Sequence, residues 1–140
     1  MVRNRLLILL LLSYCSADAQ INSAPMSCKI KGVVVSVLPK DKAEKKSLCS
    51  KYRCKAKVRV LQVLHYGSSM SAMINNGDTI EVMFAYTLHA TLKLFPGMKV
   101  KYPGLQIGNV FIANVEQRLK PGLGSQFTVY GYELSSNLSK

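Results

Sequence analysis

Acidic residues are scarce in this 140-residue chain, which holds only Asp18, Asp41, Glu44, Asp78, Glu81, Glu116 and Glu133. Scattered as they are, they offer no pair suited by spacing to general acid–base work. No Ser or Cys stands in a recognised nucleophile turn either, so the sequence predicts neither an enzyme nor catalytic residues. Cysteine and histidine are thinner still, at four and two residues. Cys28, Cys49, Cys54, His65 and His89 lack the paired C-x-x-C or H-x-x-x-H spacings that mark a zinc site, so no metal and no cofactor are expected. Cys28 and His65 would be neighbours if the first hairpin paired end to end. Without a third group to orient the imidazole, a buried free thiol is the simpler expectation. Tryptophan is absent. Tyr52 and Tyr66 are the only aromatic side chains near the basic segment, which argues against a base-stacking reader of single strands. The unbroken aliphatic run, Leu6 to Leu12, is far short of the ~20 residues a membrane span needs. No internal repeat has the period of a solenoid or propeller.

What the chain does have is apolar mass and positive charge. Apolar residues make up 49% of it, enough for one compact domain with a single core. Nineteen basic against seven acidic side chains give +12, an imbalance that favours polyanionic partners such as nucleic acid, acidic glycan or an anionic lipid surface. At the N-terminus Arg3 and Arg5, the Leu6 to Leu12 run and then Ala17-Asp18-Ala19 read as a signal peptide over 1–19, cut before Gln20. The protein is therefore expected to be exported, either secreted or periplasmic. Lipidation at Cys15 is the alternative, against which Tyr14 argues because such processing favours a small residue there. The remainder divides into a leader at 20–27, a barrel domain at 28–134 and a tail at 135–140. It keeps 17 basic and 6 acidic side chains. In an oxidising compartment Cys49 and Cys54 are expected to pair across their four-residue gap, a closure that contributes on the order of 2 kcal/mol. Cys28, roughly 33 Å along its strand from the hairpin turn, stays outside that bridge.

Five segments read as strands: Ile30 to Leu38, Lys55 to Tyr66, Thr79 to Tyr86, Asn109 to Leu119 and Phe127 to Leu134. Leu88 to Phe95 predicts a short helix stopped by Pro96-Gly97. Five strands, a long first loop and an irregular segment before the fourth strand predict an all-β chain folded as a five-stranded Greek-key barrel of the OB type. Closure would remove the exposed edges of an open sheet. Cys28-Lys-Ile-Lys-Gly-Val-Val-Val-Ser-Val37, Cys54-Lys-Ala-Lys-Val-Arg-Val-Leu-Gln-Val63, Gly77-Asp78-Thr-Ile-Glu-Val82 and Gly108-Asn-Val-Phe-Ile-Ala113 resemble the strand order and Gly-Asp punctuation of secreted OB-fold domains. These include the netrin-like superfamily that contains the tissue inhibitors of metalloproteinases. The resemblance implies a fold and no inhibitory activity. Those inhibitors begin their mature chain with a metal-reaching Cys, whereas this one would begin at Gln20, eight residues before Cys28.

Alternation puts Lys55, Lys57 and Arg59 on one face of the second strand and Ala56, Val58 and Val60 on the other. Lys29 and Lys31 share a face of the first. The intervening loop adds Lys40, Lys42, Lys45, Lys46, Lys51 and Arg53, so eleven of the 17 basic residues lie between Lys29 and Arg59. OB barrels bind oligonucleotides and glycans around their second and third strands. Lys29, Lys31, Lys51, Arg53, Lys55, Lys57 and Arg59 are therefore the candidate ligand-binding residues, with a solvated barrel exterior as the plain structural reading. The repeated Phe95-Pro96-Gly97-Met98 and Tyr102-Pro103-Gly104-Leu105 predicts a compact loop. Phe95, Met98, Tyr102 and Leu105 then either plug one barrel end or dock a protein partner, and exposed apolar patches are uncommon enough to favour the plug. Two functions follow: a basic binding module for a polyanion, or an accessory protein docking through this loop or Cys28.

Overall fold

A computed structural model describes residues 26–43, 45–67, 69–70 and 73–136. The expected signal segment with Cys15, and most of the expected leader and tail, lie outside them. Five strands are present: β1 (Ser27–Val37), β2 (Lys55–Tyr66), β3 (Thr79–Phe84), β4 (Val110–Lys120) and β5 (Gly124–Leu134). They close into a barrel in the order β1-β2-β3-β5-β4, with β4 returning to β1. The β3–β5 seam is parallel and every other pairing is antiparallel. That closed five-stranded barrel is compatible with the expected OB-like fold. Two single-turn helices, α1 (Leu48–Lys51) and α2 (Thr91–Leu94), lie in the connections.

Side-chain alternation fills the interior. Ile30 and Val34 from β1, Val58 and Val60 from β2, Val82 and Phe84 from β3, Phe111 and Val115 from β4 and Val129 from β5 are all at most 2% exposed. Burying nine such side chains, at ~1.5–3 kcal/mol each, is the main force closing the barrel. β1 pairs on both edges and must coil sharply to do so. Its ladder to β2 slips at three places, one of them at Gly32. A Cβ at Gly32 would fall 2.6 Å from the Val58 side chain, so glycine is what lets β1 and β2 approach there.

Several element boundaries differ from the sequence reading. The helix expected over Leu88 to Phe95 shrinks to α2 because the chain before it is already committed. Thr87 has a left-handed φ of 72°, the Leu88 N–H donates to the Arg53 carbonyl at 2.9 Å and the His89 N–H donates to Thr87 Oγ1 at 3.0 Å. β3 stops at Phe84, where the Thr87 N–H turns back on the Phe84 carbonyl. β5 begins three residues early because Pro121, Gly122 and Leu123 alone make the turn, leaving Gly124 to pair with Lys120.

Candidate polyanion-binding face

With Cys28, Ile30, Gly32 and Val34 turned inward, β1 presents Lys29 and Lys31 on the barrel exterior. β2, with Ala56, Val58 and Val60 inward, presents Lys55, Lys57 and Arg59. Lys29, Lys57 and Arg59 are exposed, while Lys31 and Lys55 are partly covered. The register spreads the five. Lys29 faces His65, Lys31 faces Gln62, Arg59 faces Val33 and Lys57 faces Ser36. Lys29 and Lys57 are therefore about seven residues apart along β1, or roughly 23 Å. These side chains form a stripe along the strand pair instead of one compact cluster.

Few carboxylates offset the stripe. Asp41 lies 3.7 Å from the Lys55 ammonium, a half-exposed pair worth at most about 1 kcal/mol. Glu81 on β3 stands across from Lys57. The basic loop is anchored at its end by α1 and by the Cys49–Cys54 disulfide, with the Asp41 N–H donating to the Cys49 carbonyl at 3.0 Å. Lys51 and Arg53 project from that anchor and are exposed.

The Pro-Gly repeat closes the neighbouring end of the barrel. Leu105 is 4% exposed and belongs to the core, which removes it from any docking surface. Tyr102 stacks between Tyr132 at 5.0 Å and Tyr86 at 6.3 Å, and Phe95 meets Tyr86 edge-on at 5.9 Å. The Tyr102 N–H donates to the buried Thr91 Oγ1 at 2.8 Å and the Gly104 N–H to Tyr132 Oη at 2.9 Å. Phe95, Met98 and Tyr102 are half-buried, so the loop plugs the barrel with most of the surface that docking would need.

Both tyrosines near the stripe are held by other contacts. Tyr66 Oη donates to the Ile74 carbonyl at 2.6 Å, and Tyr52 packs edge-on against His89 at 5.4 Å. Cys28 faces the core at 1% exposed, and burial pushes its thiol above the usual range. His65 stands opposite Lys29 on the exposed exterior, so the Cys28–His65 pairing does not form. Among the described residues no three His, Cys, Asp or Glu side chains gather as a metal ion would require.

Comparison with protein-family profiles, curated proteins and solved structures finds no match. The chain's own chemistry carries the assignment. One feature escaped the sequence reading: Leu92, inside the expected helix, and Ile107, just past the Pro-Gly repeat, are 64% and 66% exposed. A single-turn helix at Leu92 and an irregular stretch at Ile107 are too short to show which side faces out, so only the path of the chain reveals them.

Proposed function

We propose that this chain is an exported, non-enzymatic binding module that holds an extended polyanion along the exterior of β1 and β2. The observation that carries this reading is the stripe from Lys29 and Lys31 through Arg59 to Lys57 and Lys55, continued by Lys51 and Arg53. Its roughly 23 Å reach suits a chain-like ligand, such as a sulfated or carboxylated glycan or a nucleic-acid backbone, better than a single small anion. Tyr52 and Tyr66, the tyrosines beside the stripe, are both held by other contacts, which favours charge over base stacking. The Cys49–Cys54 bridge supports an oxidising compartment, in keeping with the export signal read in residues 1–19. The likeness to netrin-like domains enters as a likeness of barrel class alone, which the closed strand order supports.

Retention on a heparin column across a salt gradient tests the site. Lys57→Glu with Arg59→Glu should elute at far lower salt, and the salt slope should fall by roughly one for each sulfate or carboxylate no longer neutralised. Lys99→Glu with Arg118→Glu makes the same change in net charge at exposed residues outside the stripe and should matter much less. Equal losses from the two pairs would mean that retention follows net charge alone, and the stripe would then not be a site.

A further inference from the structure

The plugged end of the barrel carries a second surface with a different chemistry. Two clefts abut there and share His89 and Ala90. The first, of about 610 Å³, runs between Arg53, Leu105, Ile107 and Leu134, and the second, of about 370 Å³, between Tyr52, Leu92 and Lys93. No Asp or Glu lines either one, and the sequence has no acidic residue between Glu81 and Glu116. Glu133, next to Leu134, borders a different cleft beside Tyr130. Leu92 and Ile107 stand out at 64% and 66% exposure, with Leu134 at 45%. The β1–β2 loop at the same end adds exposed Lys40, Lys42, Lys45, Lys46 and Lys51.

Large aliphatic side chains held out in water beside Arg53 and Lys93, with no carboxylate among the cleft linings, match one environment in both respects. A bilayer of anionic lipid offers phosphate to the cations and acyl chain to the aliphatics within a depth of ~5–10 Å. A glycan or nucleic acid would satisfy the charges and leave Leu92 and Ile107 in water. We propose that this end of the barrel docks on an anionic membrane surface. Leu92 and Ile107 enter the boundary between headgroups and acyl chains, and Arg53, Lys93 and the loop lysines contact the headgroup phosphates. The proposal rests on the polyanion reading only for the sign of the partner's charge. It adds the barrel end to the strand stripe, sharing only Lys51 and Arg53 with it, and names anionic lipid as the partner.

The absence of tryptophan supplies the test. Leu92→Trp and Ile107→Trp each introduce a single indole at an exposed site. Emission should shift to the blue on vesicles of phosphatidylcholine with phosphatidylglycerol and stay unchanged on phosphatidylcholine alone, whereas Lys57→Trp should not shift on either. In co-sedimentation, Leu92→Ser with Ile107→Ser should weaken binding to the mixed vesicles at least about tenfold, given what burial of each side chain contributes. Its heparin retention should be kept. Arg53→Glu with Lys93→Glu should cost at least about fivefold per site. All four positions are exposed, so an unchanged thermal midpoint establishes that the variants fold. Three results would overturn the proposal: no binding of the unaltered protein to anionic vesicles, equal binding by the Leu92→Ser, Ile107→Ser variant, or an indole at Leu92 and Ile107 that stays in water while the protein binds. The first of these is also the expected result if a protein partner covers this end. Loss of heparin retention in Lys57→Glu, Arg59→Glu with vesicle binding intact would separate the two surfaces.

Discussion

The two Pro-Gly turns look equivalent in sequence and are not equivalent in the fold, which makes a paired substitution informative. Gly104 has a φ of +92°, and a Cβ added there would stand 2.9 Å from the Ala90 amide nitrogen and 3.3 Å from the Leu88 carbonyl oxygen. Both obstacles are backbone, so they cannot swing aside as a flexible side chain would. Forcing an L-residue into the left-handed region costs about 1–2 kcal/mol. Relieving the collision then pulls on the Leu105 N–H bond to Leu88 at 2.8 Å and the Gly104 N–H bond to Tyr132 at 2.9 Å. Losing one of these adds about 1 kcal/mol. Gly104→Ala should therefore destabilise by roughly 2–3 kcal/mol, lowering the thermal midpoint by about 10–15 °C at some 5 °C per kcal/mol for a domain of this size. Gly97 has no left-handed φ and nothing within 4 Å of a built Cβ. Gly97→Ala should stay within about 0.5 kcal/mol, on the stabilising side, through the reduced entropy of the unfolded chain. Calorimetry of the two variants settles it. Equal midpoints would refute the idea that the second turn, and not the first, locks the plug to the barrel.

Replacing Cys49 and Cys54 together by Ser should cost about 2 kcal/mol in urea melts, the entropy of one small loop, and reduction of the unaltered protein should do the same. Stability should also decline at high pH. Burial raises the Cys28 thiol above 9.0 and the Tyr132 phenol above 10.0. The unfolded chain therefore gives up those protons first, and each contribution is full below the unfolded value and lost as pH rises through the folded one. The midpoint should thus fall as pH climbs past about 9. Tyr132→Phe should make the part of that decline above about pH 10 shallower. At neutral pH the same change should cost about 1–2 kcal/mol, because the Gly104 N–H loses its acceptor. A midpoint flat from pH 8 to 11 would contradict the burial of both groups.

Most of the barrel was legible because strand alternation and glycine punctuation act locally. Lys55 to Tyr66 begins and ends as expected for β2, since the alternation of Ala56, Val58 and Val60 with Lys55, Lys57 and Arg59 is written in adjacent residues. The Cys49–Cys54 bridge was legible for the same reason. What escaped depended on distant partners. β1 starts at Ser27, three residues early, because Glu116 and Val115 on β4 pair with Ser27 and Cys28. The helix before Phe95 was cut short by the Arg53 carbonyl, far back in the chain, which takes the Leu88 N–H. The basic residues were found, yet their spread along the strand pair depends on the β1–β2 register, with its three slips, which no single-strand pattern contains.

The plug explains why two surfaces of opposite texture adjoin on one small barrel. A loop of about 25 residues that crosses a barrel mouth cannot bury both of its sides. Here one side is taken up by Tyr102, Leu105 and Phe95, stacked on Tyr132, inserted in the core and set edge-on to Tyr86. Thr91 fixes that choice by accepting the Tyr102 N–H from a fully buried position. With the aromatic side committed inward, Leu92, next to Thr91, and Ile107, two residues past Leu105, are left facing outward. Neither can be withdrawn without breaking the contacts that close the barrel. Their exposure is thus a consequence of the plug, and it lies on the same end as the lysine-rich loop because β1 ends, β2 begins and β3 ends there. Substitution at Leu92 or Ile107 should accordingly leave the fold alone, whereas substitution at Tyr102 or Leu105 should unfold it.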